Sequence, residues 1–206
     1  MSPQPPYVIG IDSGTQSLRS GIFDLEGNPV VFATYEYPTY FPKPGWAEQE
    51  AADWWTATVA TVRACLERSG VNPADIIGIS VDGTSSTVVP VTEDGTPLCR
   101  AILWMDSRAH RQVETIAASR HPVLKYVGGQ DAVEWMVPKA LWLKESEPEV
   151  YHKAARIVES TDWLTWKLSG EWTATVCNAT CKWNYVHSEG GWSAEFLSAV
   201  GLDDIL

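Results

Sequence analysis

A mixed α/β sheet opening with an antiparallel three-strand meander is the fold class this sequence predicts, and three observations predict it. Apolar runs at residues 7–11, 18–25 and 29–37 are separated by short polar turns, the pattern of consecutive strands. A long helical pattern over residues 51–69 then stops at Gly70. Beyond it, strand patterns interleave with helical ones, which argues for helices on both faces of a mixed sheet rather than for a purely parallel order.

Taken in order, Tyr7, Val8, Ile9 and Ile11 read as a buried strand ending in the carboxylate of Asp12. Residues 13–17 form a tight connection to the second strand, whose apolar positions are Leu18, Ile22, Phe23 and Leu25. A turn at residues 25–28 leads to the third strand. A proline-broken loop over residues 41–50 precedes the long helix. Residues 76–82 are a near-continuous apolar strand, 83–86 a small polar loop and 87–92 another strand, with a turn at 93–96. Residues 97–104 extend the sheet and deliver residues 105–108, where a helix through Ala118 begins. After an irregular stretch centred on Gly128 and Gly129, helices are predicted over 135–144 and 162–168 with a short strand at 156–159 between them.

The 206 residues suit one compact domain, and a composition 45% hydrophobic and 20% charged is ordinary for a globular chain. A formal net charge of −11 disfavours nucleic acid and anionic membrane surfaces, which call for a basic footprint. Cys65, Cys99, Cys177 and Cys181 have no companion His or Cys cluster of zinc spacing and read as reduced thiols. No stretch reaches 18 apolar residues and the start does not read as a secretory leader, so the expected location is cytoplasmic.

The chemistry concentrates at residues 12–19. Asp12 ends a strand, Gly14 permits close backbone approach, Thr15 and Ser17 offer hydroxyls, Gln16 an amide and Arg19 a fixed positive charge. Successive N–H groups in such a turn form an anion-binding concavity. A polar hairpin whose Asp bonds its own turn is the competing reading. No Gly-x-x-x-x-Gly-Lys-Ser/Thr run occurs, so a P-loop nucleotide site is not supported.

The segment Asp12-Ser-Gly-Thr-Gln-Ser-Leu-Arg19 resembles the first phosphate loop of the sugar kinase, Hsp70 and actin superfamily, and most closely its FGGY carbohydrate kinase branch. The resemblance implies a ribonuclease H-like, actin-like ATPase domain that works with ATP and Mg²⁺. It places Asp12 at the metal and reacting-phosphate end, through a metal-bound water, with Gly14, Thr15, Gln16, Ser17 and Arg19 around the phosphates. Gln16 departs from the Thr or Ser of many members.

Four further segments carry the likeness. The loop Asp82-Gly-Thr-Ser-Ser-Thr87 lacks the Arg-Glu pair of glycerol kinases and is similar to that of ribulokinases, with Gly83 and Thr84 facing the substrate and their smallness leaving room for a longer polyol. Leu103-Trp-Met-Asp-Ser-Arg108 matches a segment bordering the sugar, where Trp104 is a wall and Asp106 an acceptor. A helix cap is the other role open to Asp106. Glu134, in a Glu-Trp-x-x-x-Lys pattern, and Lys182, closing Cys177-Asn-Ala-Thr-Cys-Lys182, match ribulokinase positions near the ketopentose. A solvated surface Lys is the alternative for Lys182.

The resemblance therefore implies phosphorylation of a ketopentose, ribulose ahead of xylulose. It also implies a carboxy-terminal ATP-binding domain as partner and a general base beyond residue 206, so that this chain alone is expected to be inactive. A homodimer is a further partner left open. A non-catalytic sugar-binding module and an actin-like assembly protein are the readings from other classes.

Overall fold

The computed structural model describes residues 3–205. The meander forms as the sequence predicts: β1 (Tyr7–Ser13), β2 (Ser17–Asp24) and β3 (Pro29–Glu36) are consecutive antiparallel strands. After β4 (Glu48–Gln49) and α1 (Ala51–Ser69), strand β5 (Ile76–Gly83) returns parallel to β1, giving a first sheet of order β3-β2-β1-β5. Period-two burial fixes its faces. Ile9, Ile11, Leu18, Ser20, Ile22 and Ala33 point inward, towards α1.

Helix α1 presents Ala51, Trp54, Ala57, Thr58, Thr61 and Cys65 along one stripe, the spacing of an amphipathic helix. Thr61 and Ser20 share a 2.7 Å hydroxyl hydrogen bond that seats the helix on β2. Gly70, at φ 66°, ends it by donating its N–H to the Leu66 carbonyl, a left-handed close that a Cβ would oppose.

Residues 87–104 do not extend the first sheet. Strand β6 (Val88–Val91) and the two-residue β7 (Ala101–Ile102) join β4 and β8 (Arg156–Glu159) in a second, antiparallel sheet of order β4-β7-β6-β8. Pro97 makes only an isolated bridge to Val91, because the turn at residues 93–96 swings the chain off the ladder.

The remaining helices are α2 (His110–Ala118), α3 (Met136–Ser146), α4 (Pro148–Lys153), α5 (Ser160–Ser169), α6 (Val176–Lys182) and α7 (Ala194–Ala199). They sort onto two cores. Val89, Val91, Ala101 and Leu103 join Trp54, Trp163 and the inner face of the first sheet. Val88 and Ile102 join α2, α3 and α7. The second sheet thus lies between two apolar layers, which is why all four residues of β6 are buried.

The expectation of helices on both faces holds for this second sheet. On the first sheet, α1 and α5 share one face. The other, with Gly10, Asp12, Arg19, Gly21, Phe32, Ser80 and Asp82, borders an open concavity of about 300 Å³ among the described residues.

Candidate functional site

The loop between β1 and β2 is held from behind by its own carbonyls. The Gly14 carbonyl accepts from the Tyr37 hydroxyl (2.5 Å), the Thr15 carbonyl from Gln49 Nε2 (2.5 Å) and from Thr39 Oγ1 (3.4 Å), and the Gln16 carbonyl from the Tyr37 N–H (3.2 Å). Gln49 is itself fixed by donating to Thr39 Oγ1 and accepting from the Trp54 indole. The Gly14 N–H closes the hairpin on the Ser17 carbonyl at 3.0 Å. Among the described residues, the N–H groups of Thr15 and Gln16 meet no protein acceptor. Pulling consecutive carbonyls one way while leaving N–H groups unpaired produces an anion-binding nest. Burial holds the Tyr37 phenol above its ordinary pKa, so it remains a donor.

In-register pairing places Asp12 beside Arg19 on β2 and Asp82 on β5, all three exposed on the open face of the first sheet. Asp12 and Asp82 end adjacent parallel strands, the edge where ligands gather in open α/β sheets. Asp12 and Arg19 line the concavity on this face, whereas Thr15, Gln16 and Ser17 line a separate one with Tyr37 and Thr39. An exposed carboxylate is the kind of group that fits a hydrated Mg²⁺, and free N–H donors the kind that fit a phosphate.

Two of the proposed sugar residues converge on this loop. The Thr84 N–H donates to the Ser13 carbonyl (3.3 Å), and Trp104, 41% exposed, donates its indole N–H to Thr15 Oγ1 at 3.0 Å. A second group forms at α3 and α6: Glu134 and Trp135 precede α3, and the Lys182 ammonium lies 5.1 Å from the Trp135 ring centre, in cation–π range.

Two expectations need correction. A Cβ on Gly83 would meet the Ser13 carbonyl oxygen at 2.8 Å and Thr161 Cγ2 at 3.1 Å, so its smallness serves the close approach of β1, β5 and α5, not room for a sugar. Asp106 is fully buried, and its oxygens accept from the Ala47 N–H, the Arg108 N–H and both Arg108 Nε and Nη2. It therefore offers nothing to a sugar, and it caps no helix either, since α2 begins after Ala109.

Sequence reasoning missed the buried polar groups behind this wall. Lys139 is fully buried and donates to the carbonyls of Ser86 (2.6 Å) and Leu103 (2.7 Å). Glu159, also fully buried, accepts from the N–H groups of Ser86 (3.0 Å) and Thr87 (3.2 Å) and from the Trp183 indole (3.3 Å). Burial moves both pKa values to about 7, up for Glu159 and down for Lys139. In the sequence, Lys139 stood out only as the closing Lys of the Glu-Trp-x-x-x-Lys pattern inside an otherwise apolar helical run, and nothing there gave it a role or pointed to Glu159.

All four cysteines are free, the described residues hold no cluster of ligands that would bind a metal by itself, and no described helix is long and apolar enough to cross a membrane.

Comparison with known proteins agrees with this architecture. The model of the FGGY family of carbohydrate kinases, N-terminal domain, matches residues 7–206. The FGGY carbohydrate kinase domain-containing protein of Homo sapiens is 34% identical over 97% of the chain and 37% of its own length. The D-ribulokinase of Saccharomyces cerevisiae is 33% identical over 100% of the chain and 31% of its own. A xylulose-type kinase structure from Brucella ovis superposes with a TM-score of 0.87 over 97% of the chain and 42% of that protein, at 24% identity. The chain thus spans less than two fifths of the length of these two curated relatives. On the family match, which spans nearly the whole chain, the chain belongs to the FGGY family of carbohydrate kinases and corresponds to its N-terminal domain.

Proposed function

We propose that this domain supplies the sugar pocket and the first phosphate loop of an ATP-dependent kinase acting on a ketopentose, ribulose in preference to xylulose. The observation that carries the reading is the loop at residues 14–17, which follows Asp12 in the chain and whose carbonyls are anchored backward while the Thr15 and Gln16 N–H groups stay free. When bound, Mg-ATP supplies the transferable phosphoryl group and neutralises its charge. Asp12 orients the metal's water shell, with Gly14, Thr15, Gln16, Ser17 and Arg19 around the phosphates. Thr84, Trp104, Glu134 and Lys182 face the sugar. Catalysis on such a site rests on positioning and charge stabilisation, and closure of a second domain excludes water.

The ketopentose preference rests on the absence of an Arg-Glu pair at Gly83-Thr84 and on the D-ribulokinase among the relatives. The test is ADP release by the full-length protein over a panel of ribulose, xylulose, other polyols and glycerol. Ribulose is expected to give the highest kcat/KM. Preference for glycerol over every pentulose would overturn the substrate, and absence of turnover with all of them would overturn the kinase reading.

A further inference from the structure

Four segments carry the proposed sugar contacts: the loop at residues 83–87, the strand end before Trp104, the entry to α3 with Glu134, and the end of α6 with Lys182. They come from distant parts of the chain. What joins them is a pair of buried charges. Lys139, on α3, bonds the Ser86 carbonyl and the Leu103 carbonyl, which immediately precedes Trp104. Glu159, at the end of β8, bonds the Ser86 and Thr87 N–H groups and the indole of Trp183, which immediately follows Lys182.

We propose that Lys139 and Glu159 are positioning residues for the sugar pocket, gripping the Ser86–Thr87 peptide from opposite sides and so setting Thr84, Trp104, Glu134 and Lys182 in one arrangement. The inference rests on the kinase reading above and adds to it two residues that touch no substrate.

Backbone geometry supports it. Ser86 has φ 69°, a left-handed conformation that a non-glycine residue adopts at a cost, and its donor and acceptor are both taken by the pair. Strain of this kind persists only where surrounding bonds over-determine it. Electrostatics point the same way. Lys139 faces Asp106, Glu159, Arg108 and Glu134, and all but Glu134 are buried with it, so two positive and two negative groups are held in the interior alongside α3. Replacing buried charges by apolar groups is often neutral or stabilising, so the burial of these four is no argument that they serve stability, and the role assigned to them here is geometric.

The experiment compares the full-length wild type with Glu159→Gln, Lys139→Met, Ser86→Gly and the double variant Ser86→Gly/Glu159→Gln. Glu159→Gln puts an amide N–H against a backbone N–H and loses a charged acceptor, an effect of roughly tenfold or more. We expect sugar KM to rise by about that factor with kcat within about twofold, and amide hydrogen exchange at Ser86 and Thr87 to quicken by a similar factor. Glycine adopts φ 69° freely, so the double variant should recover most of the lost KM. Lys139→Met should raise KM in the same direction. An unchanged KM in Glu159→Gln, or no recovery in the double variant, overturns the positioning role. Unaltered exchange at Ser86 and Thr87 overturns the grip itself. Exchange needs no substrate, so it still decides on the grip if the wild type phosphorylates no polyol, an outcome that would instead sink the kinase reading.

Discussion

Trp104 and Thr15 are joined by a hydrogen bond of 3.0 Å between residues 89 apart in sequence, so the proposed sugar wall and the proposed phosphate loop share a side-chain contact. Trp104→Phe keeps an aromatic wall and removes the donor. A neutral hydrogen bond of this kind contributes about 1 kcal/mol, so kcat/KM for the sugar should fall by roughly fivefold. Steady-state kinetics of the full-length protein with varied ribulose and varied ATP check this, and an unchanged value would leave the contact without functional weight.

Asp12 and Lys182 should separate kinetically. Asp12→Ala, at the phosphate end, is expected to lower kcat by about a hundredfold or more with little change in sugar KM. Lys182→Met, which loses a charged hydrogen bond, should raise sugar KM by an amount equivalent to about 1–3 kcal/mol with kcat nearly kept. Equal effects on both parameters for either variant would contradict its assigned place.

Gly83→Ala tests the corrected role of that glycine. Its Cβ would press on a backbone oxygen at 2.8 Å, which cannot rotate away. Overpacking of this sort costs about 1–3 kcal/mol, so the urea unfolding midpoint should drop, with m unchanged. Retained stability would return Gly83 to the pocket lining.

The pH dependence of stability has a traceable source in Asp131. It is buried, receives one hydrogen bond from Asn184, leaves Oδ2 without a partner, and is pushed up by burial from 3.8 to about 6. A raised folded-state value means the fold holds the proton more tightly than the unfolded chain does. Its contribution is therefore fully present below pH 3.8 and is lost as pH rises through about 6. Relative to Asp131→Asn, which cannot ionise, the wild type should lose on the order of 2–3 kcal/mol between pH 4 and pH 7. Unfolding midpoints across that range measure it, and parallel curves for the two proteins would refute the assignment.

Period-two and helical patterns made the meander, α1 and the loop of residues 13–17 legible, because local burial decides those elements. The separation of residues 87–104 into a second sheet was not legible, since a strand pattern does not say which ladder it joins. Asp106 misled for a related reason: a carboxylate between Trp104 and Arg108 looks available until the fold folds Arg108 and Ala47 back onto it. Lys139 and Glu159 were invisible as a pair because each faces the other's partners only after α3 and β8 have closed around Ser86.

The second sheet has a consequence for how the domain comes apart. Within β6, Val88 belongs to one apolar layer and the adjacent Val89 to the other, as do Ile102 and Ala101 in β7. Neither layer can open without stripping one face of these short strands. A slip of one residue would exchange the contents of the two layers. The two halves are thereby bound into one cooperative unit, and melting followed by tryptophan emission, whose eleven reporters include Trp54 and Trp163 on one side and Trp142 on the other, should coincide with melting followed by backbone circular dichroism in a single transition.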